Sequence, residues 1–393
     1  MKEIKEIIKA FDRAEKANKQ MALATVVQVE GSSYRSPGAR MLITEDGELT
    51  GAISGGCLEG DALRKAQLVM FQQQSMVVTY DTTDDDDAKF GVGLGCNGII
   101  HILIEPIQIG QSDQPIDLLK RCLEDRQNRV LMTFYDLKNK RAEQVGTCLL
   151  WEEDLSIANP DSFMKIKQNL PNLEELAGVS KTAFQSGHSL ITACGDKNQL
   201  NVFAELIKPP VALMVVGAGN DAIPLTEMAY ILGWEITVID GRADYCTPSR
   251  FPKAHRLLQS KADRVADSIS VDQQTVVVLM THNYNYDLTV LTQLAPSNAG
   301  YLGVLGPKKK MDKMLEAIKK DGIQLSPEDL DKIFGPIGLD IGAESPEEIA
   351  LSALAEIKAV LAKRPGTFLR DKKGPIHEDD AVRRSTVDLL YER

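Results

Sequence analysis

The chain has 393 residues, 43% of them hydrophobic and 26% charged, with a formal net charge of −11. That length exceeds one ordinary domain, so two domains with separate cores are expected. The acidic balance and the lack of a basic, aromatic-interleaved strip argue against a nucleic-acid partner, and no apolar run reaches membrane-spanning length.

Taken in order, residues 1–18 read as an amphipathic helix with Ile4, Ile7, Ile8 and Phe11 on one face, not as a secretion signal. The expected compartment is therefore the cytoplasm, where six scattered cysteines are free thiols or ligands rather than a disulfide framework. Met21 to Glu30 alternates as a strand does. Gly31 to Arg40 is a loop by composition and carries two guanidiniums, Arg35 and Arg40. They are either an oxyanion clamp or the charges of a hairpin turn. Two short strands follow, and then Ser54-Gly-Gly-Cys-Leu-Glu-Gly. Cys57 opens a helix expected from Leu58 to Gln72, where the helix dipole favours its thiolate. A second cysteine, Cys96, stands in a similar glycine frame before a strand at Ile99 to Glu105. Each cysteine taken singly also reads as structural; two in matching frames favour chemistry. The acidic run from Asp81 to Asp87 reads as a solvated loop ahead of a cation site. Cys122, Cys148, Cys194 and Cys246 lack such frames and read as small hydrophobes.

Residues 107–207 look like a fainter copy of the first half. Val130-Leu-Met-Thr-Phe echoes Ala22-Leu-Ala-Thr-Val, and Asn201-Val-Phe-Ala-Glu-Leu-Ile echoes Ile102-Leu-Ile-Glu-Pro-Ile. Lys208-Pro-Pro is a stiff linker.

Val211 to Asp240 reads as strand, glycine turn, helix, strand, acid. Gly217 lets the chain turn out of a buried strand, Gly219 leaves bare backbone for a phosphate, and Ala222 is the third small position. Asp240 is placed to accept from a ribose diol. Another buried strand, Thr275 to Met280, ends at His282 and Asp287, which are either acid–base or ligand-orienting groups or plain hydrogen bonders. A fourth strand covers Tyr301 to Leu305. The lysines from Lys308 oppose the dipole of the helix they begin, which an anion bound there offsets. Ser326 and Ser345 each start a capped helix. Residues 365–393 read as a loosely held polar tail.

The expected class is α/β: a C-terminal Rossmann-like doubly wound parallel sheet plus an N-terminal mixed α+β domain rich in strands. The expected domains are 1–207, with related halves 20–106 and 107–207, then 208–364, then the tail 365–393.

These motifs, in this order, resemble the XdhC/CoxI type of molybdenum hydroxylase accessory proteins. The carrying stretches are Gly31 to Arg40, Ser54 to Gly60, Gly93 to Gly98, Gly217 to Ala222, Asp240-Gly-Arg, Thr281 to Asp287 and Ile337 to Ala350. Asn220 departs from a common histidine, and Pro307-Lys-Lys-Lys from a common Ser-Arg-Arg. The resemblance implies a non-enzymatic chaperone that binds molybdenum cofactor, as molybdopterin or its cytosine dinucleotide. Such a protein shelters the cofactor, allows its sulfuration and passes it to a xanthine dehydrogenase-type apoenzyme. Implied partners are that apoenzyme, a cysteine desulfurase and a second copy of the chain. Implied cofactor contacts are Arg35, Arg40, Gly55, Gly56, Cys57, Glu59, Gly95 and Cys96, with the thiolates of Cys57 and Cys96 as metal contacts. In the second domain they are Gly217, Ala218, Gly219, Asn220, Asp240, Arg242, His282, Asp287 and Lys308. Two other readings remain: an NAD-linked dehydrogenase using Asp240 and His282, and a nucleotide-binding adaptor.

Overall fold

The computed structural model describes residues 1–82, 98–140, 142–166, 170–195, 200–373 and 383–384. The chain divides into two compact units, Glu3–Pro209 joined by the terminal strand, and Pro210–Asp371. Among the described residues no helix is long and apolar enough to cross a membrane.

The first unit begins with α1 (Lys2–Lys16), β1 (Met21–Gly31), β2 (Arg40–Thr44), β3 (Leu49–Gly51), α2 (Glu59–Gln72), β4 (Met76–Asp81) and β5 (Gly98–Ile107). It continues with α3 (Pro115–Arg121), β6 (Arg129–Tyr135), β7 (Gly146–Trp151), α4 (Pro160–Ile166), α5 (Leu173–Ser186), β8 (Leu190–Cys194) and β9 (Leu200–Ile207).

β1 alternates but is buried on both sides. Ala22, Ala24 and Val26 pack under α2 with Ala62, Ala66 and Val69. Met21 and Leu23 face Leu131 and Leu150 of the second sheet, under α1. Val130, Met132 and Phe134 pack in turn under α5 with Leu176, Val179 and Ala183. The result is two sheets face to face, each covered outside by a helix.

The sheet orders are β3-β2-β1-β5-β4 and β16-β8-β9-β6-β7, where β16 is Arg383–Arg384. Without the outer pieces, β2-β1-β5-β4 and β7-β6-β9-β8 are the same antiparallel arrangement. The register agrees: Leu23 pairs with Leu42 and Glu105, and Leu131 with Leu150 and Glu205. The tail read as loosely held places Arg383–Arg384 parallel to Leu190–Ile191 at a sheet edge.

The second unit runs β10 (Ala212–Val216), α6 (Ala222–Ile231), β11 (Glu235–Asp240), β12 (Arg256–Gln259), β13 (Thr275–Leu279), α7 (Tyr284–Leu294) and β14 (Tyr301–Val304). Then come α8 (Lys308–Lys320), α9 (Pro327–Asp331), β15 (Ile333–Phe334) and α10 (Pro346–Leu361). The sheet is wholly parallel in the order β12-β11-β10-β13-β14-β15. Leu213 and Val215 pack against α6 and α10 on one face, and Met214 and Val216 share a core with α7 and α8 on the other. Both faces are covered, which is why the strands read as continuous aliphatic runs. Ser326 and Ser345 each close a capping box, with Asp329 and Glu348. The chain leaves β10 first toward β11 and later returns to β13 on its other side. The switch point therefore lies at the carboxyl ends of β10 and β13, where open α/β sheets bind ligands.

Candidate functional site

The turn after β10 is built on glycine for a steric reason. Gly217 has φ +114°, and a Cβ there would stand 2.5 Å from the Met280 carbonyl and 2.7 Å from the Thr281 nitrogen. Only bare backbone passes between the two strand ends. Gly217 N donates to Ile239 O at 2.8 Å, holding the turn to β11. Ala222 and Ile223 close the first turn of α6 on the carbonyls of Gly219 and Asn220.

Two side chains face this turn. Arg250, in the loop after β11, donates from Nη2 to Ala218 O at 3.1 Å and Asn220 Oδ1 at 3.0 Å. His282, with φ +57°, reaches from the end of β13 to Asp221, Nε2 to Oδ2 at 2.8 Å, and its side chain is 68% exposed. Asp221 Oδ1 and Arg250 Nε are buried and lack a partner. Gly217 N and Ala218 N are bonded within the fold and the Asp221 carboxylate stands over Gly219, so what adjoins the turn for an anionic group of a ligand is the Arg250 guanidinium and the exposed His282 imidazole.

Other expected contacts have internal partners. Asp240 is 4% exposed and accepts from Ala218 N at 2.7 Å, Arg242 N at 2.8 Å, Arg242 Nε at 3.0 Å and Arg242 Nη2 at 2.8 Å. Burial pushes its pKa up, but those bonds outweigh burial and hold it below the ordinary carboxylate value. An ionised carboxylate has about four acceptor positions, so the ribose acceptor expected here is already saturated. Asp287 is wholly buried, bound by Thr281 Oγ1 at 2.6 Å and Lys310 Nζ at 2.7 Å, and therefore holds the β13 loop instead of facing a ligand. Lys308 is exposed at the first residue of α8. The inward lysine is Lys310, one turn before the buried Met314. That i to i+4 spacing was readable in the sequence. Arg250 carried no such signal; only its position after the second strand hinted at it.

In the first unit, Arg35 is paired with Glu3. Arg40 is 1% exposed and its guanidinium is bonded to Glu205 and Gly38 O, so it fits neither the oxyanion clamp nor the hairpin-turn charge weighed for it and is an internal strut. Glu59 likewise serves its own loop: it accepts from Ser54 N at 2.9 Å, from Leu58 N at 3.1 Å and from the Ser54 hydroxyl. Ser54 Oγ accepts from Gly56 N and Leu58 N, both at 3.1 Å. These bonds wrap the backbone around Cys57, which is partly exposed two residues before α2 begins. Gly56, φ +115°, has open space beside it, and Gly55 lies under the exposed Tyr34 ring. The loop therefore holds a partly exposed thiol beside the open Gly56, packed on one side against the core under α2. Cys122 and Cys194 are buried, which pushes each thiol up to about 12, and burial raises Cys148 well above the ordinary thiol value. Cys246 is partly buried and packs on the core of the parallel sheet. Gly95, Cys96 and Asp84 to Asp87 lie outside the described residues. Among the described residues no group of three or more His, Cys, Asp or Glu is placed to hold a metal ion.

Comparison with known proteins decides the family. Residues 14–81 match the family described as XdhC and CoxI, and residues 213–357 match the XdhC Rossmann domain. A Bacillus subtilis protein named as a probable subunit of xanthine dehydrogenase is 31% identical over 339 residues, 86% of this chain and 92% of that one. The chain belongs to the XdhC and CoxI family. An Escherichia coli molybdenum cofactor insertion chaperone is 24% identical, over 88% of this chain and 84% of that one. The crystal structure of a protein named a xanthine dehydrogenase from Bacillus halodurans superposes with a TM-score of 0.69 at 26% identity, over 91% of this chain and 96% of that one. The matched Rossmann domain holds the Gly217 turn, and the matched amino-terminal segment holds the Cys57 loop. Relatives named as a xanthine dehydrogenase subunit and as a molybdenum cofactor insertion chaperone support an accessory, maturation role toward a xanthine dehydrogenase-type enzyme.

Proposed function

We propose that this XdhC-family chain binds molybdenum cofactor, protects it, allows its sulfuration and inserts it into a xanthine dehydrogenase-type apoenzyme. The observation that carries the reading is the turn at Gly217. It sits at the switch point of a parallel sheet and admits no side chain, with the Arg250 guanidinium beside it. That arrangement suits the phosphate of the cofactor. The pterin brings its own dithiolene sulfurs to molybdenum, so no protein ligand cluster is required. Cys57 offers a soft thiol for the metal's exchangeable ligand, and Cys96 is proposed as a second. The partners on this reading are the apoenzyme, a cysteine desulfurase that supplies sulfur, and a second copy of the chain, all in the cytoplasm. Purification from a host that makes the cofactor, with molybdenum and the fluorescence of the oxidised pterin measured together, tests it. Co-elution of both at comparable molar amounts supports the reading. Protein free of both, while the host's own molybdoenzymes are loaded, removes it.

A further inference from the structure

A ribose-reading acid at the end of the second strand of a Rossmann unit needs free acceptor positions, and a nearby arginine there accommodates a phosphate instead. Here both residues are present, and the acid serves the arginine. Asp240 takes its donors from Ala218 N and from the backbone and guanidinium of Arg242. Arg242 is thereby fixed along one edge, Nε and Nη2, by a carboxylate. One face of its guanidinium lies on the Tyr245 ring, 3.8 Å from the centroid. Its side chain is nevertheless 52% exposed. A guanidinium has five N–H donors, so the remaining edge is aimed outward with its orientation set beforehand. Arg250 approaches the same ring at 5.3 Å, and its own bonds go to uncharged acceptors, Ala218 O and Asn220 Oδ1. Two guanidiniums thus gather at the sheet's carboxyl edge in a chain of net charge −11.

We propose that Arg242, not Asp240, meets the ligand at the end of β11, and that the second unit takes a ligand carrying a phosphomonoester there in place of a ribose diol. A phosphomonoester offers the planar fork two oxygens, which a diol cannot.

The test is calorimetric titration of the full chain and of Arg242→Gln and Arg242→Lys with adenosine 2′,5′-bisphosphate, 5′-AMP and inorganic phosphate. The bisphosphate is expected to bind about ten- to a hundredfold more tightly than 5′-AMP, the range for one charge-assisted contact. Inorganic phosphate is expected to compete with it. Arg242→Gln is expected to abolish the preference, and to tighten 5′-AMP because the released Asp240 accepts its diol. Arg242→Lys keeps the charge without the fork and is expected to retain part of the preference. Equal affinities, no binding of either nucleotide, or a preference untouched in the Arg242→Gln protein would each overturn the proposal. So would a lowered unfolding temperature in Arg242→Gln with the affinity ratio unchanged, since that is the mark of a purely structural pair. The probes contain no pterin. A bisphosphate preference on protein that carries neither molybdenum nor pterin would sink the cofactor reading and leave this one. Bound pterin with equal nucleotide affinities would do the reverse.

Discussion

Arg40 and Glu205, 165 residues apart, form an ion pair between the two facing sheets, with Arg40 Nη1 at 3.0 Å from Glu205 Oε1. Its counterpart lies at the equivalent place in the other half: Glu105, in the register position of Glu205, accepts from Thr147 N at 2.7 Å and Thr147 Oγ1 at 2.8 Å. Gly38 and Gly146, both with positive φ, let each carboxylate approach; a Cβ would stand 2.7 Å from Glu205 Oε1 and 2.4 Å from Glu105 Oε1. Each half thus sends a glutamate into the other.

Breaking one partner of the Arg40 pair strands a buried charge. Glu205→Gln or Arg40→Leu is expected to cost about 3–5 kcal/mol in urea unfolding, whereas replacing both with leucine costs less than either alone. A double variant as unstable as the sum of the singles would show that the two residues are not coupled.

Glu105 gives a pH dependence. Burial raises its pKa, and the bonds from Thr147 oppose that shift without cancelling it. The folded state then holds the proton more tightly than the unfolded one. Its contribution to stability is full below the ordinary value of 4.5 and is lost as pH rises through the folded value. Glutamine keeps an acceptor for Thr147 N and removes the charge. Glu105→Gln is expected to melt above the parent protein at neutral pH, with the difference shrinking as pH falls toward 4.5. Melting curves by circular dichroism across that range decide it.

Gly217→Ala is expected to lower stability by about 1–3 kcal/mol or more, through backbone strain and collision with Met280. It should also reduce pterin retention. Gly60→Ala is the control: it lies in α2 with open space around it, and should be neutral or stabilising by up to about 1 kcal/mol. Retention unchanged in Gly217→Ala would remove the turn from the binding site.

Cysteine accessibility separates presented from packed thiols. Brief iodoacetamide treatment of native protein, read by peptide mass spectrometry, should label Cys57. Cys122, Cys148 and Cys194 should react only after unfolding, because they are buried and their thiols are pushed up. Labelling of Cys122 as fast as Cys57 would contradict that burial.

What was readable beforehand was local. The Val211 to Asp240 unit, the caps at Ser326 and Ser345, and the alternation of β1 each depend on residues within a turn or a strand of one another. Side-chain period and turn chemistry express those distances directly. The same locality limited the site: Gly217 was legible because its neighbours in the chain define the turn. That Asp240 is saturated by Arg242 and Ala218 was not legible, because spacing does not say which donor fills an acceptor.

By itself the sequence determined the class of each unit and the glycine turn at the switch point, since hydrophobic period and glycine placement are properties of short stretches. Only the tertiary structure decided that Arg40 is spent on Glu205, that Asp240 is filled by Arg242 and Ala218, and that Arg250 overhangs the Gly217 turn. Most of those partners meet through strand pairing and sheet packing across tens to hundreds of residues, and the free energy of a buried charge depends on what faces it, not on what precedes it.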